Sequence, residues 1–130
     1  MPDRLCKTVV PMDYQLELVM PLFSKARPRL GPRGAFMPPA YKEKQRRMRV
    51  LIRDQWKQDP LEGPLRLEIE CWGEGRVDAD NMIGALMDAA NGILWYDDRV
   101  SIIPEISVRW HKAKKQESKW VVRITELIDG

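Results

Sequence analysis

Residues 65–81 read Leu65-Arg-Leu-Glu-Ile-Glu-Cys-Trp72, then Gly73-Glu-Gly75, then Arg76-Val-Asp-Ala-Asp-Asn81. The first part alternates apolar and polar side chains, which predicts a strand with Leu65, Leu67, Ile69 and Cys71 facing the core. From Asp80 or Asn81 onward, apolar residues recur at helical spacing until Asn91-Gly92, a typical helix C-terminus. We therefore predict a strand, a turn loosened by glycine and a short amphipathic helix, with aspartates where the turn becomes helix.

Asp78 and Asp80 lie in this stretch, and Asp97-Asp98 follow about one helix later. If the backbone is extended at residues 78–80, the first two carboxylates point the same way, because side chains of a strand alternate faces. Two carboxylates on one side repel each other unless a cation lies between them. Oxygen ligands without a nearby His or Cys favour Mg²⁺ or Mn²⁺ over zinc. The alternative is that Asp80 or Asn81 only caps the following helix, and spacing alone leaves both interpretations open.

The remaining elements extend outward from this centre. Residues 14–20 alternate as a strand, and a loop rich in Pro, Gly and Arg follows, within which residues 35–37 are a candidate edge strand. Pro38-Pro39 favours a helix start, and apolar spacing carries that helix to about Lys57. Extended patterns are predicted at residues 100–110 and 120–125, joined by a hairpin loop at residues 111–118. The order β-α-β-α-β-β predicts a single α+β domain over residues 1–130, with two helices packed on a mixed sheet.

Composition excludes several classes of protein. Hydrophobic residues make up 44% and charged residues 32% of the chain, which is typical of a globular rather than a disordered protein. No apolar run approaches the roughly 20 residues that span a bilayer, and residues 1–7 lack the apolar core of a secretory signal, so a cytoplasmic location without membrane contact is expected. Cys6 and Cys71 are too isolated for a zinc or redox site, and Cys71 continues an inward strand row. The single His111 has no implied Ser or Cys nucleophile beside it.

Positive charge is unevenly distributed. Residues 24–53 contain ten Lys or Arg against the single acid Glu43, although the net charge of the chain is only +3. Such asymmetry is typical of a protein that binds a phosphate backbone. The alternative is a solvated basic helix face, but the loop before the helix is basic as well.

Four short motifs, taken in order, resemble the RusA family of Holliday junction resolvases. They are Ser24-Lys-Ala-Arg-Pro-Arg29, Asp78-Ala-Asp-Asn81, Asp88-Ala-Ala-Asn-Gly92 and Asp97-Asp-Arg-Val100, and the resemblance covers roughly residues 12–126. The resemblance implies a small dimeric endonuclease, of a kind often encoded by phages, that binds four-way DNA junctions and cuts paired strands with Mg²⁺ or Mn²⁺.

The resemblance also implies roles for individual residues. Asp78, Asp80 and Asp98 match the catalytic aspartates, Asp97 is a further metal ligand beside Asp98, and Asn81 and Asp88 complete the motifs. Metal-bound carboxylates lower the pKa of a bound water, so no histidine base is required. The residues expected to contact the DNA backbone are Lys25, Arg27, Arg29, Arg33, Lys42, Arg46, Arg49 and Arg76.

One position departs from the family pattern Asp-x-Asp-Asn-x-x-Lys, because the lysine position is Gly84. That lysine is associated with catalysis, so either Lys25, Arg76 or Arg99 replaces it, or the protein binds branched DNA with weak or no cleavage. A third hypothesis, a small basic RNA-binding domain, leaves the carboxylates unexplained. The leading hypothesis is a metal-dependent endodeoxyribonuclease of DNA recombination and repair, acting as a homodimer because two opposed cuts suit twofold symmetry.

Overall fold

The computed structural model describes residues 12–128, and its centre is a four-stranded mixed sheet. The strands are β1 (Asp13–Leu18), β4 (Leu65–Gly73), β5 (Glu105–Lys112) and β6 (Lys119–Glu126). Their spatial order is β1-β6-β4-β5, with β4 parallel to β5 and antiparallel to β6. A separate two-stranded hairpin, β2 (Arg29–Gly31) and β3 (Gly34–Phe36), precedes the first helix in the sequence.

Two helices, α1 (Pro39–Gln55) and α2 (Ala79–Ala90), pack on one face of the sheet. α1 begins at a proline, whose missing N–H is no loss in a first turn. The inward row of β4 meets the apolar stripes of both helices, and its members Leu65, Leu67, Ile69 and Cys71 are at most 1% exposed. The predicted α+β fold with two helices on a mixed sheet is therefore confirmed. No helix within residues 12–128 is long and apolar enough to cross a membrane.

The cysteine predictions can be checked only at Cys71, because Cys6 lies outside the described residues. Cys71 is a buried free thiol on the inward face of β4, as predicted. Burial raises the pKa of this thiol, since the thiolate would lose its hydration. Cys71 is therefore a core residue rather than a reactive one.

Two predictions about the last third of the chain are wrong. Residues 100–102 form a turn rather than a strand, with the N–H groups of Ile102 and Ile103 donating to the carbonyl of Arg99. β5 begins only after Pro104, which has no N–H to donate to a strand ladder. The predicted hairpin at residues 111–118 is also wrong, because β6 lies between β1 and β4 and pairs with both of them.

The segment predicted as a short edge strand, residues 35–37, overlaps β3. β3 pairs with β2 and not with the edge of the main sheet. An alternating pattern identifies a strand and its buried face but carries no information about which strand lies beside it. The polar segment at residues 111–118 could connect two adjacent strands or two strands that are not neighbours, so the sequence did not distinguish a hairpin from a crossover.

The connections place the two aspartate pairs at opposite ends of the sheet. Asp78 and Asp80 follow the end of β4, which has nine residues and is about 30 Å long at ~3.3 Å per residue. α2 then runs back along the sheet. Beyond α2, the N–H of Tyr96 donates to the carbonyl of Leu61, near the start of β4, and Asp97-Asp98 come directly after.

Candidate active site and nucleic-acid interface

The N-terminus of α2 carries Asp78, Asp80 and Asn81 on its first turn. Asp78 occupies the N-cap position, with extended backbone at φ −67° and ψ 134°, but its side chain makes no capping hydrogen bond. Its Oδ2 accepts only a long contact, 3.5 Å, from Asn81 Nδ2, whereas Asp80 Oδ1 accepts the N–H of Asn81 at 2.9 Å. The capping alternative assigned the N-cap to Asp80 or Asn81, and that assignment is wrong. Both aspartates are exposed and their carboxylates retain free oxygen atoms to bind a cation.

The turn that delivers Asp78 depends on Gly75 and on a residue that the sequence did not single out for this role, Trp110. Gly75 has φ +86°, and a Cβ built on it would lie 2.6 Å from Trp110 Cζ2, so only glycine fits. The indole N–H of Trp110 donates to the carbonyl of Gly73 at 3.2 Å. The ring therefore fixes the path of the chain from β4 to α2. No local pattern indicated this contact, because it joins residues far apart in the sequence.

Asp97 and Asp98 form the second pair. Arg99 Nε donates to Asp97 Oδ2 at 2.7 Å, and the N–H of Asp98 donates to Asp97 Oδ1 at 2.9 Å. These two bonds, with the guanidinium contributing most, hold the pKa of Asp97 below its usual range. Asp98 is exposed. Arg99 is thus engaged by Asp97 and is not among the side chains within 4 Å of a Cβ built on Gly84.

The four predicted metal ligands do not meet within one chain. Across residues 12–128 there is no group of three Asp, Glu, His or Cys side chains placed to hold a metal ion. α2 has 12 residues and is about 18 Å long at 1.5 Å per residue, and it separates Asp78 and Asp80 from Asp98. A single protomer therefore offers two carboxylates at one end of α2 and the others beyond its opposite end. The predicted joint site of Asp78, Asp80, Asp97 and Asp98 is not assembled in this chain alone.

Gly84 is covered by Lys25. The N–H of Lys25 donates to the carbonyl of Asn81 at 2.8 Å, and its Nζ lies 3.2 Å from Asp88 Oδ2. Its Cδ would be 3.5 Å from a Cβ on Gly84, an ordinary van der Waals distance, so the position does not require glycine. Of the three cations proposed to replace the missing lysine, Lys25 is the one whose side chain lies across Gly84.

Asp88 is the centre of a small polar network between α2 and α1. Its Oδ2 also accepts the hydroxyl of Tyr41 at 3.2 Å. Burial, and then the negative charge of Asp88, raise the pKa of Tyr41 to about 12. Asp88 was recognisable in the sequence only as part of a motif, and its partners Tyr41 and Lys25 come from other parts of the chain.

The predicted DNA-binding residues differ in whether their side chains are exposed and free to contact DNA. Arg27, Arg29, Arg33, Lys42 and Arg76 are exposed. Arg46 is exposed but pairs with Glu43, which lowers the pKa of that carboxyl. Arg49 is half buried and donates to the carbonyls of Asp88 and Ala89 at 3.3 Å, so it joins α1 to α2. Arg49 therefore has a structural contact that the sequence prediction did not anticipate.

Residues 20–125 match the family described as Endodeoxyribonuclease RusA. A search of curated proteins gave no match. The matched segment covers more than half of the chain and includes both aspartate pairs, Gly84 and the basic segment.

Proposed function

Since the chain belongs to the RusA endodeoxyribonuclease family, we propose that it binds four-way DNA junctions and cuts paired strands by metal-dependent phosphodiester hydrolysis. The observation that carries this proposal is the exposed pair Asp78 and Asp80 on the first turn of α2, where neither side chain caps the helix in the usual way. Lys25 places an ammonium group along the same helix. Anionic ligands for a cation and a positive group for a phosphate thus lie along one helix, with the ammonium beside Asp88, about two turns beyond Asp80.

The proposed enzyme is a homodimer, and the separation of the aspartates supports this. A complete set of three carboxylates requires a second copy, in which Asp98 approaches Asp78 and Asp80 of the first copy. Twofold symmetry would then create two equivalent sites, one for each strand to be cut. An isolated protomer is not expected to cleave.

The edge strand β5 offers the surface for this contact. Ile106 and Trp110 face the helix side of the sheet but are 43% and 47% exposed, because the helix layer stops short of β5. Tyr96 and Val100, near Asp98, are 55% and 82% exposed. A twofold axis across this edge would align the two copies of α2 in opposite directions. The N-terminal aspartates of one copy would then face Asp98 of the other.

Mg²⁺ or Mn²⁺ is the proposed cofactor, held where Asp78 and Asp80 of one copy meet Asp98 of the other, with Asp97 beside it. Such an ion lowers the pKa of a bound water and neutralises charge on the scissile phosphate. In this arrangement the flexible side chain of Lys25, which pairs with Asp88 in the free protein, turns toward the phosphate and provides the second positive charge there. Arg27, Arg29, Arg33 and Lys42 hold the flanking backbone, where exposed basic groups bind without reading sequence.

Mixing two inactive variants tests the shared site. Asp80→Asn and Asp98→Asn are each expected to bind the junction in EDTA and to lose Mg²⁺-dependent cleavage. After co-refolding, the mixed dimer contains one site with all its aspartates and one that lacks both Asp80 and Asp98. It should therefore nick a single strand. Cleavage that returns in the mixture supports a site built from two copies, and a mixture as inactive as its components contradicts it.

A second candidate function is junction binding without efficient cleavage. Gly84 favours it, since the family pattern has a lysine at that position. A third candidate, RNA binding, is distinguished by competition, because a folded RNA should displace the protein from a four-way junction only if RNA is the ligand. The proposed setting for the nuclease is DNA recombination and repair in the cytoplasm.

A further inference from the structure

The β2–β3 hairpin stands apart from the main sheet and exposes apolar side chains. Leu30 is 89% exposed, the most exposed large apolar side chain in residues 12–128, and Phe36 is 45% exposed. Leu30 pairs across the hairpin with Ala35, so its side chain projects beside a small neighbour. A leucine this exposed buries almost nothing in the free protein, so its side chain is available to contact a partner.

Packing and backbone geometry give the hairpin a defined conformation. Phe36 pairs with Arg29 on the opposite face from Leu30, and a Cβ on Gly31 would lie 3.0 Å from Phe36 Cε1, so the ring packs directly over Gly31. Pro32 and Arg33 form the tip, and Gly34 follows with φ +105°. Proline fixes one backbone angle at the tip, so the presented side chains are preorganised.

Charge identifies the partner. Lys25, Arg27, Arg29 and Arg33 are exposed, and residues 24–42 contain no acid. Positive side chains around an exposed apolar residue suit a nucleic acid, in which phosphates surround stacked bases. Proteins that kink DNA insert apolar side chains between base steps in this way.

Both ends of the hairpin are attached to α2. The N–H of Lys25 bonds to the carbonyl of Asn81 before the hairpin, and the hydroxyl of Tyr41 bonds to Asp88 after it. Each strand has three residues, so the hairpin extends roughly 10 Å at ~3.3 Å per residue, which is about three base steps. The inserted side chain would thus be presented from the same helix that carries Asp80.

We propose that the β2–β3 hairpin is a wedge that inserts Leu30 into the branch point of the DNA junction and unstacks the bases there. This rests on the proposed function, because the same junction must lie at the aspartates. The wedge would distinguish a branch point, where stacking is already interrupted, from a continuous duplex. Arg29 and Arg33 hold the phosphates beside the opening.

The test uses the dimer in EDTA and a four-way junction with 2-aminopurine at the branch point, whose fluorescence rises when the base is unstacked. The unaltered protein should raise the fluorescence. Leu30→Ala should abolish most of the rise and lower the preference for junction over duplex by roughly tenfold. Val50→Ala, which removes a 53% exposed side chain from α1, is the matched control and should behave as the unaltered protein.

The outcomes separate the two proposals. If Leu30→Ala raises the fluorescence as much as the unaltered protein, the wedge is refuted while binding and cleavage stand. If Leu30→Ala changes the oligomeric state in light scattering and leaves the fluorescence unchanged, the hairpin contacts another copy of the chain, which also refutes the wedge. If the unaltered protein does not bind the junction, both proposals fail.

Discussion

Moving the positive charge of Lys25 to position 84 tests whether this ammonium serves the reaction. The Lys25→Met variant keeps a flexible apolar chain over Gly84 and removes only the charge. The pair with Asp88 is partly exposed, 46% on the lysine side and 30% on the aspartate side, so its loss should cost about 0.5 kcal/mol. That corresponds to a fall in melting temperature of about 2 °C for a chain of this size.

The expected effect on cleavage is much larger than the effect on stability. Removing one donor that stabilises developing charge lowers cleavage rates about a hundredfold. Adding Gly84→Lys to the variant restores an ammonium four residues before Asp88, on the same line of α2. Replacing glycine in a helix also stabilises by up to about 1 kcal/mol, which offsets the lost ion pair. The double variant should therefore cleave within about tenfold of the unaltered protein.

The matched control is Gly84→Gln in the same Lys25→Met background. Glutamine has a helix propensity similar to that of lysine but no charge, so it should restore stability without restoring cleavage. The assay is the single-turnover rate of junction nicking at saturating Mg²⁺, with the melting temperature and the junction affinity in EDTA measured beside it. If Lys25→Met cleaves at the unaltered rate, or if glutamine rescues as well as lysine, then Lys25 is not the replacing cation.

Three further predictions follow from particular contacts. Asp78→Ala should lose cleavage but lower stability by less than 0.5 kcal/mol, roughly, in urea unfolding, because the side chain makes no capping bond; a loss near the ~1 kcal/mol of a working N-cap would contradict this. Gly75→Ala should destabilise by more than about 1 kcal/mol, since it adds a clash with Trp110 to the strain at φ +86°, whereas Gly34→Ala, at φ +105° with open space around it, should cost only the backbone strain. The phenol of Tyr41 should titrate at a pKa of about 12 by phenolate absorbance. Its contribution to stability should be complete below pH 10, the usual pKa of a tyrosine, and should be lost as the pH rises from there through about 12. Asp88→Asn should lower this pKa but leave it above 10, because burial is the larger cause; an unchanged value would exclude the charge of Asp88 as a contributor.

Sequence reasoning was most successful where a periodic pattern reports burial directly. The alternation in β4 and the helical spacing in α2 identified both elements and their buried faces, because one face of each must avoid water. It failed for the neighbours of β6, since strand order depends on contacts between distant residues. It also failed for the turn at residues 100–102, which precedes Pro104 and the start of β5. In the site, the aspartates and Lys25 were recognisable as residue types. The separation of Asp98 from Asp78 and Asp80 by α2, and the support of Gly75 by Trp110, depend on the three-dimensional path and had no local pattern.

The proposed nuclease activity is tested most directly by cleavage of a synthetic four-way junction with the unaltered protein, with and without Mg²⁺. Paired nicks are expected at symmetric positions in opposed strands, dependent on Mg²⁺ or Mn²⁺ and absent in EDTA, with a linear duplex of the same sequence left intact. A protein that binds the junction tightly but makes no nick at any concentration of either metal is not a junction-cleaving nuclease.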